Sequence, residues 1–209
     1  MSTEKPSRSP ALYKTDLAGV ALKPHESRII ATWLLGGFGD VSDASWQKLI
    51  YADNAVQISG RSTLRRQSNL LRARLRLLSP ELLALIVEGS YRETIQACLA
   101  AAIKHSKLLG DFLDTIVRRE YASGGRELDL YHWRAFLEAC KLRDPNMRDW
   151  SPASSIRIRT TVMSILHEAD LVDRGTPVII KAPSYEKAVV EILERDQESW
   201  CLRCMRYDQ

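Results

Sequence analysis

Between His25 and Asp144 the chain is a succession of apolar residues at helical spacing, cut at short intervals by glycine, proline or a capping side chain. His25–Leu35 ends at Gly36-Gly37, Asp43–Asp53 ends near Asn54, and Ser59–Leu78 ends at Ser79-Pro80. Pro80–Glu88 closes at Gly89, followed by Tyr91–Lys104 and by Lys107–Ala122, which Gly124-Gly125 stop. Asp129 has the character of an N-cap for a helix reaching Leu142, ended by Asp144-Pro145. Strand signals are almost absent. This punctuation predicts a mainly all-α fold, a bundle of about seven short helices.

The pattern changes after Trp150. Ser151-Pro152 combines a capping serine with proline at the first helical position. The helix it opens, Pro152 to Ala169, sets Ile158, Val162, Ile165 and Ala169 along one side. Leu171-Val172, a turn at Asp173–Gly175 and the β-branched run Val178-Ile179-Ile180 then predict a short hairpin, and a last amphipathic helix covers Ser184 to Trp200. Helix, hairpin and helix match the back half of a winged helix-turn-helix, with Arg157 and Arg159 early on the recognition helix and Arg174 at the wing tip. The alternative is a small appendage that packs on the bundle. Its net charge of −1 counts against strong autonomous DNA binding. The expected division is a disordered polar tail over 1–15, a bundle over 16–146 containing an arginine-rich helix at 59–78, and a winged-helix-like module over 147–209.

Charge is concentrated in one place. Net charge is 0 over residues 1–60, +6 over 61–80, −1 over 81–150 and −1 over 151–209, against +4 for the whole chain. The positive segment holds Arg61, Arg65, Arg66, Arg72, Arg74 and Arg76 and no acidic residue. Such a field draws polyanions and leaves the remaining surface neutral. On a helix Arg61, Arg65, Arg72 and Arg76 share a stripe roughly 60° wide, while Leu64, Leu71, Leu75 and Leu78 form a core-facing stripe about 100° away. The planar guanidinium suits phosphate because it donates two parallel hydrogen bonds and does not titrate. A solvated face paired with neighbouring carboxylates is the competing account.

No catalytic constellation is legible. His25, His105, His132 and His167 are scattered, the Gly36-Gly37-Phe38-Gly39 stretch precedes Asp40 and lacks a lysine, and Asp111 and Asp114 have a spacing common on solvated helix faces. No enzyme activity, cofactor or metal is therefore expected. Cys98 and Cys140 lie in helical apolar patterns; Cys201 and Cys204 form a C-x-x-C that lacks a second ligand pair for zinc. With 45% hydrophobic and 27% charged residues the composition is that of a soluble globular protein. No apolar run is long enough to span a bilayer, and the start of the chain lacks an apolar signal core, so a cytoplasmic location is expected.

Three stretches carry a family resemblance: Leu22-Lys23-Pro24-His25-Glu26-Ser27-Arg28-Ile29-Ile30-Ala31; Asn54 with Arg61-Ser62-Thr63-Leu64-Arg65-Arg66 and Leu71-Arg72-Ala73-Arg74-Leu75; and Ser154-Ser155-Ile156 with Thr160 and Leu166-His167-Glu168-Ala169-Asp170-Leu171. They resemble the A protein of BREX bacteriophage-defence systems, BrxA, over nearly the whole chain. The resemblance implies a non-catalytic, nucleic-acid-binding component of a multi-protein defence system. It also brings a label of inner-membrane protein, which the lack of a spanning segment argues against. The expected partners are double-stranded DNA, contacted through the arginine helix and the winged-helix module, and other BREX proteins, with no membrane. The competing functions are an adaptor whose arginines dock on an acidic protein, and an RNA-binding helical bundle. The absence of aromatic residues within the basic helix favours duplex DNA over single-stranded RNA.

Overall fold

A computed structural model describes residues 10–17, 19–37, 39 and 41–207. The expected tail at residues 1–9 and positions Phe38 and Asp40 of the glycine-rich stretch lie outside the described residues. Residues 10–15, grouped with the tail on composition, include an anchored segment. Leu12 and Tyr13 donate backbone N–H bonds to Asp144 (2.7 and 3.1 Å), and the buried Tyr13 donates its hydroxyl to Asp111 at 2.6 Å.

Helix α1 (Pro24–Leu34) packs on α3 (Arg61–Leu75) and α4 (Pro80–Glu88); α2 (Asp43–Gln47) lies between α1 and α3 in sequence and runs into a wider π turn over Lys48–Ala52. The centre of the bundle is α5 (Tyr91–His105), in which every residue from Thr94 to Ile103 is buried. A helix apolar on all sides must be surrounded, and the small Ala97, Ala100, Ala101 and Ala102 let neighbours approach closely. Its start is secured by a capping box: Ser90 accepts from the Glu93 N–H while Glu93 accepts from the Ser90 N–H. The next rod is α6 (Lys107–Phe112), a π turn over Leu113–Val117, and α7 (Arg118–Ser123), ended by Gly124 in the left-handed conformation.

Strand β1 (Glu127–Leu128) precedes α8 (Leu130–Arg143), whose first turn is capped by Asp129, and α9 (Pro152–Glu168), capped by Ser151. The expected hairpin is present. Val172 bridges Ile180, and Asp173 N–H donates to Ile179 O at 3.0 Å. On the other edge β2 (Val178–Ile179) pairs antiparallel with β1 in the register Glu127↔Ile179 and Leu128↔Val178. Sequence reading found the hairpin but not β1, because two residues after a glycine turn carry no period of their own.

The last helix of the sequence reading is two helices, α10 (Lys187–Arg195) and α11 (Ser199–Met205). The chain reverses at Gln197, a non-glycine residue with φ +59°, and Glu198 N–H closes the end of α10 by donating to Leu193 O at 2.9 Å. Glu198 is also ion-paired with Lys104 at the end of α5. Neither contact has a local sequence signature. Both helices fold back on the bundle, α10 on α4 and α5, α11 on α5 and α6, so one core holds residues from Tyr13 to Tyr207. Among the described residues no helix is long and apolar enough to cross a membrane.

Gly110 on α6 is the closest point of this fold-back: a Cβ there would stand 2.2 Å from the Trp200 ring. A methyl group cannot enter without displacing the indole. Gly110→Ala should lower the unfolding free energy by about 1–3 kcal/mol, measured as an earlier urea midpoint. An unchanged midpoint would mean that α11 docks loosely.

Candidate nucleic-acid interface

The arginines of α3 divide by what the other helices bring to them. Leu64, Leu71, Leu75 and Leu78 are buried as the spacing predicts. Arg61, Arg65, Arg66 and Arg76 are exposed, whereas Arg72 and Arg74 have been drawn inward. The Arg72 guanidinium stands 4.8 Å from the ring centroids of both Trp33 on α1 and Trp46 on α2, and it donates to Asp43 at 2.7 Å. Arg72 thereby holds the Asp43 carboxyl below its ordinary pKa and joins three helices through cation–π and ionic contacts. Arg76, the C-terminal cap of α3, adds its field to the same carboxylate.

Arg74 is only 2% exposed. Its two terminal nitrogens donate to Ala21 O (2.8 Å) and Val20 O (3.0 Å). Burial pulls its pKa down to about 10, opposed by Asp16 and Glu168, so it stays charged at neutral pH. Both terminal nitrogens are engaged in the interior and the buried Nε is without a hydrogen-bond partner, so the guanidinium is withdrawn from the expected phosphate-contacting set. A signal was available: Arg74 lies about 60° from Leu71 on the helical wheel, at the margin of the core stripe.

The remaining face is continuous. The first half of α3 and the α2 segment enclose a cleft of about 840 Å³ lined by Gln47, Tyr51, Arg61, Arg65, Arg66 and Asn69. The Arg61 guanidinium sits 5.5 Å over the Tyr51 ring. At Gly19, where φ is +68°, a Cβ would lie 3.8 Å from Arg66 Nη1 and 3.9 Å from Arg157 Cδ. A depression on the α9 side, about 390 Å³, joins Gly19 and Ala21 to Arg157, Thr160 and Ser164. Thr160 and Ser164 also line a groove of about 460 Å³ shared with Arg159, His167 and Arg174. At the wing, Arg174 Nε donates to His167 Nε2 at 2.7 Å. Arg159 is half-buried and its Nε has no hydrogen-bond partner.

Eight of the nine expected arginines thus remain at least partly accessible; Arg61, Arg65, Arg66, Arg157, Arg159 and Arg174 lie along depressions that adjoin one another, while Arg72 and Arg76 stand apart beside Asp43. No acidic residue occurs in α3, nor in α9 before its last residue, Glu168. Sequence reasoning missed Gln47, Tyr51, Asn69 and Gly19. Asn69 stands one turn from Arg65 and Arg66 on α3 itself, whereas only tertiary packing brings Gln47, Tyr51 and Gly19 to the arginines.

The carboxylates singled out in the sequence are otherwise occupied. Asp111 accepts from Tyr13 and from Lys107 (2.5 Å), and Asp114 from Arg203 (2.8 Å) and Arg118 (3.2 Å). Cys201 and Cys204 are buried free thiols whose pKa values are raised by burial, that of Cys204 to about 12. Among the described residues no cluster of His, Cys, Asp and Glu could hold a metal ion.

The structure defines a helical bundle with a small two-stranded sheet, flanked by one isolated bridge, and an arginine-lined face. The BrxA family matches residues 11–197. BREX protein BrxA of Paramagnetospirillum magneticum (strain ATCC 700264 / AMB-1) is 37% identical over 194 residues, covering 93% of this chain and 96% of that one. BREX protein BrxA of Escherichia coli O9:H4 (strain HS) is 32% identical over 158 residues, 76% of this chain and 73% of its own. The crystal structure of an uncharacterized protein from Magnetospirillum magneticum matches with a TM-score of 0.87 at 36% identity, covering 94% of this chain and 99% of that chain. The chain belongs to the BrxA family of BREX antiviral-defence proteins, as its three resembling stretches implied.

The two fates of arginine on α3 are separable by stability. Arg74→Gln leaves the Val20 and Ala21 carbonyls without their buried donor and should cost about 2–4 kcal/mol. Arg65→Gln, on the open face, should change the unfolding free energy by less than about 0.5 kcal/mol. Equal effects in chemical unfolding would contradict this division.

Proposed function

We propose that the arginine-lined face binds duplex DNA, and that the protein serves BREX defence as a non-catalytic DNA-binding component acting with other BREX proteins. The observation that carries this is the meeting of Arg66 and Arg157 around Gly19. It joins a basic helix at residues 61–75 to one at 152–168 on a single face. Neither supplies carboxylates that would repel phosphate along that face, apart from Glu168 at its end.

Further support comes from the order of elements. Helix α7, strand β1, helices α8 and α9, then Val172 and β2 with β1 beside β2, run in the sequence helix, strand, helix, helix, strand, strand. This is the order of a winged helix, in which α9 enters the major groove and the 173–177 turn with Arg174 is the wing. On this assignment the unit starts before residue 127, earlier than the boundary at 147 read from composition. The α3 arginines Arg61, Arg65 and Arg66 then meet the flanking phosphates, which fix position without reading sequence. The engagement of Asp111, Asp114 and the four cysteines in packing supports a non-enzymatic role.

One observation favours a second partner. Tyr51 beneath Arg61 gives the cleft an aromatic face on which an unpaired base could stack. A gel-shift titration against duplex DNA, single-stranded DNA and duplex RNA separates the two, with duplex DNA expected to bind tightest.

Replacing Arg61, Arg65, Arg66 and Arg157 together by glutamine should weaken duplex binding to a similar degree for unrelated sequences. Each lost phosphate contact should reduce the slope of log K against log[salt] by about 0.9. The unfolding midpoint should stay near wild type, because Arg72 and Arg74 are retained. Unchanged affinity and slope would instead assign the face to a protein partner.

A further inference from the structure

The outward side of α9 carries methyl groups where a purely phosphate-binding helix would carry only polar ones. Ile158, Val162 and Ile165 face the core; on the opposite side stand Ala153, Ile156, Arg157 and Thr160, all exposed. Ile156 is 63% exposed, although a β-branched apolar side chain gains nothing from water. The Thr160 hydroxyl donates its hydrogen to the Ile156 carbonyl at 2.9 Å, so Thr160 has no donor left and offers a partner its methyl group and an acceptor oxygen. From Ser151 to His167 there is no carboxylate. Arg66 borders this stripe across Gly19, and Arg159 and Arg174 line the groove on its wing side.

An apolar strip edged by guanidiniums calls for a partner with the complementary layout: anionic walls and methyl groups on the floor between them. The major groove of DNA has this layout. Its rims are phosphates, its width of about 12 Å admits a helix, and the C5-methyl of thymine is the apolar group it presents. We propose that α9 reads thymine in the major groove of duplex DNA through Ile156 and the Thr160 methyl, with Ala153 giving the backbone room to approach. Arg157, on the same side, is placed for a guanine edge or an adjoining phosphate. This inference rests on the duplex-DNA reading of the face. It adds base discrimination to a surface whose other contacts are sequence-blind.

The test compares one mixed-sequence duplex with the same duplex made with deoxyuridine in place of thymidine, which removes only the methyl groups. Wild-type protein should bind the thymidine duplex tighter by roughly fourfold for each methyl contact. Ile156→Ser should lose most of that ratio while keeping the wild-type salt slope and unfolding midpoint, since Ile156 is exposed and carries no charge to contact phosphate. Equal binding of both duplexes by wild type, with the salt slope intact, would overturn thymine reading and leave DNA binding standing. A thymidine preference that survives in Ile156→Ser would also overturn it, assigning the difference to DNA stiffness. Failure to bind either duplex would remove the parent reading and this inference together.

Discussion

The buried guanidinium of Arg74 is the contact on which the rest of the surface depends. It donates to the carbonyls of Val20 and Ala21, while the next residue, Leu22, donates its N–H to Glu168 at 2.8 Å. Arg74 belongs to α3 and Glu168 ends α9, so one short extended segment is held from both sides by the two basic helices. That segment ends in α1 on one side and begins at Gly19 on the other, and Gly19 lies in contact range of Arg66 and Arg157. A buried charge is costly unless its hydrogen bonds are made and its field is answered. Here two carbonyls accept from the terminal nitrogens, leaving the buried Nε without a partner, and the carboxylates of Asp16 and Glu168 answer the field. Asp16 is in turn held by the Ser106 hydroxyl at 2.7 Å, which ties the segment to the end of α5.

The same residue type therefore does three jobs within four helical turns. Arg74 pins a loop, Arg72 cements α1, α2 and α3 by lying against Trp33 and Trp46, and Arg61, Arg65 and Arg66 face an open cleft. Arginine can do all three because its charge is delocalised and weakly hydrated, so it stacks and enters interiors where lysine would not. The consequence for function is a reduction in usable charge. Of the +6 in residues 61–80, two charges are committed to structure, and Asp43 answers one of them at the surface. The loss on α3 is offset by α9, whose Arg157 arrives from the far half of the sequence.

The strongest local order lies where chemistry is self-contained. Ser90 with Glu93, Asp129 with His132, and Ser151 with Pro152 are decided by residues within one turn of each other. These helix starts were readable to within a residue or two. The break between α10 and α11 was not, because Gln197 adopts a left-handed conformation without glycine, and the next residue, Glu198, is fixed by its N–H bond to Leu193 O and by a tertiary ion pair with Lys104.

By itself, then, the amino-acid sequence determined the helical class, the helix starts, the leucine stripe of α3 and the hairpin near residues 171–180. Each of these follows from spacing and capping chemistry acting over a few residues. It also determined that the positive charge would be concentrated, since no carboxylate lies among the six arginines. Only the tertiary structure decided which of those arginines meets solvent. Helical periodicity gives the direction in which a side chain leaves its own helix. Whether that direction leads to water, to Trp33 and Trp46, or to the carbonyls of Val20 and Ala21 depends on segments tens of residues away, whose positions are set by burial of the shared core.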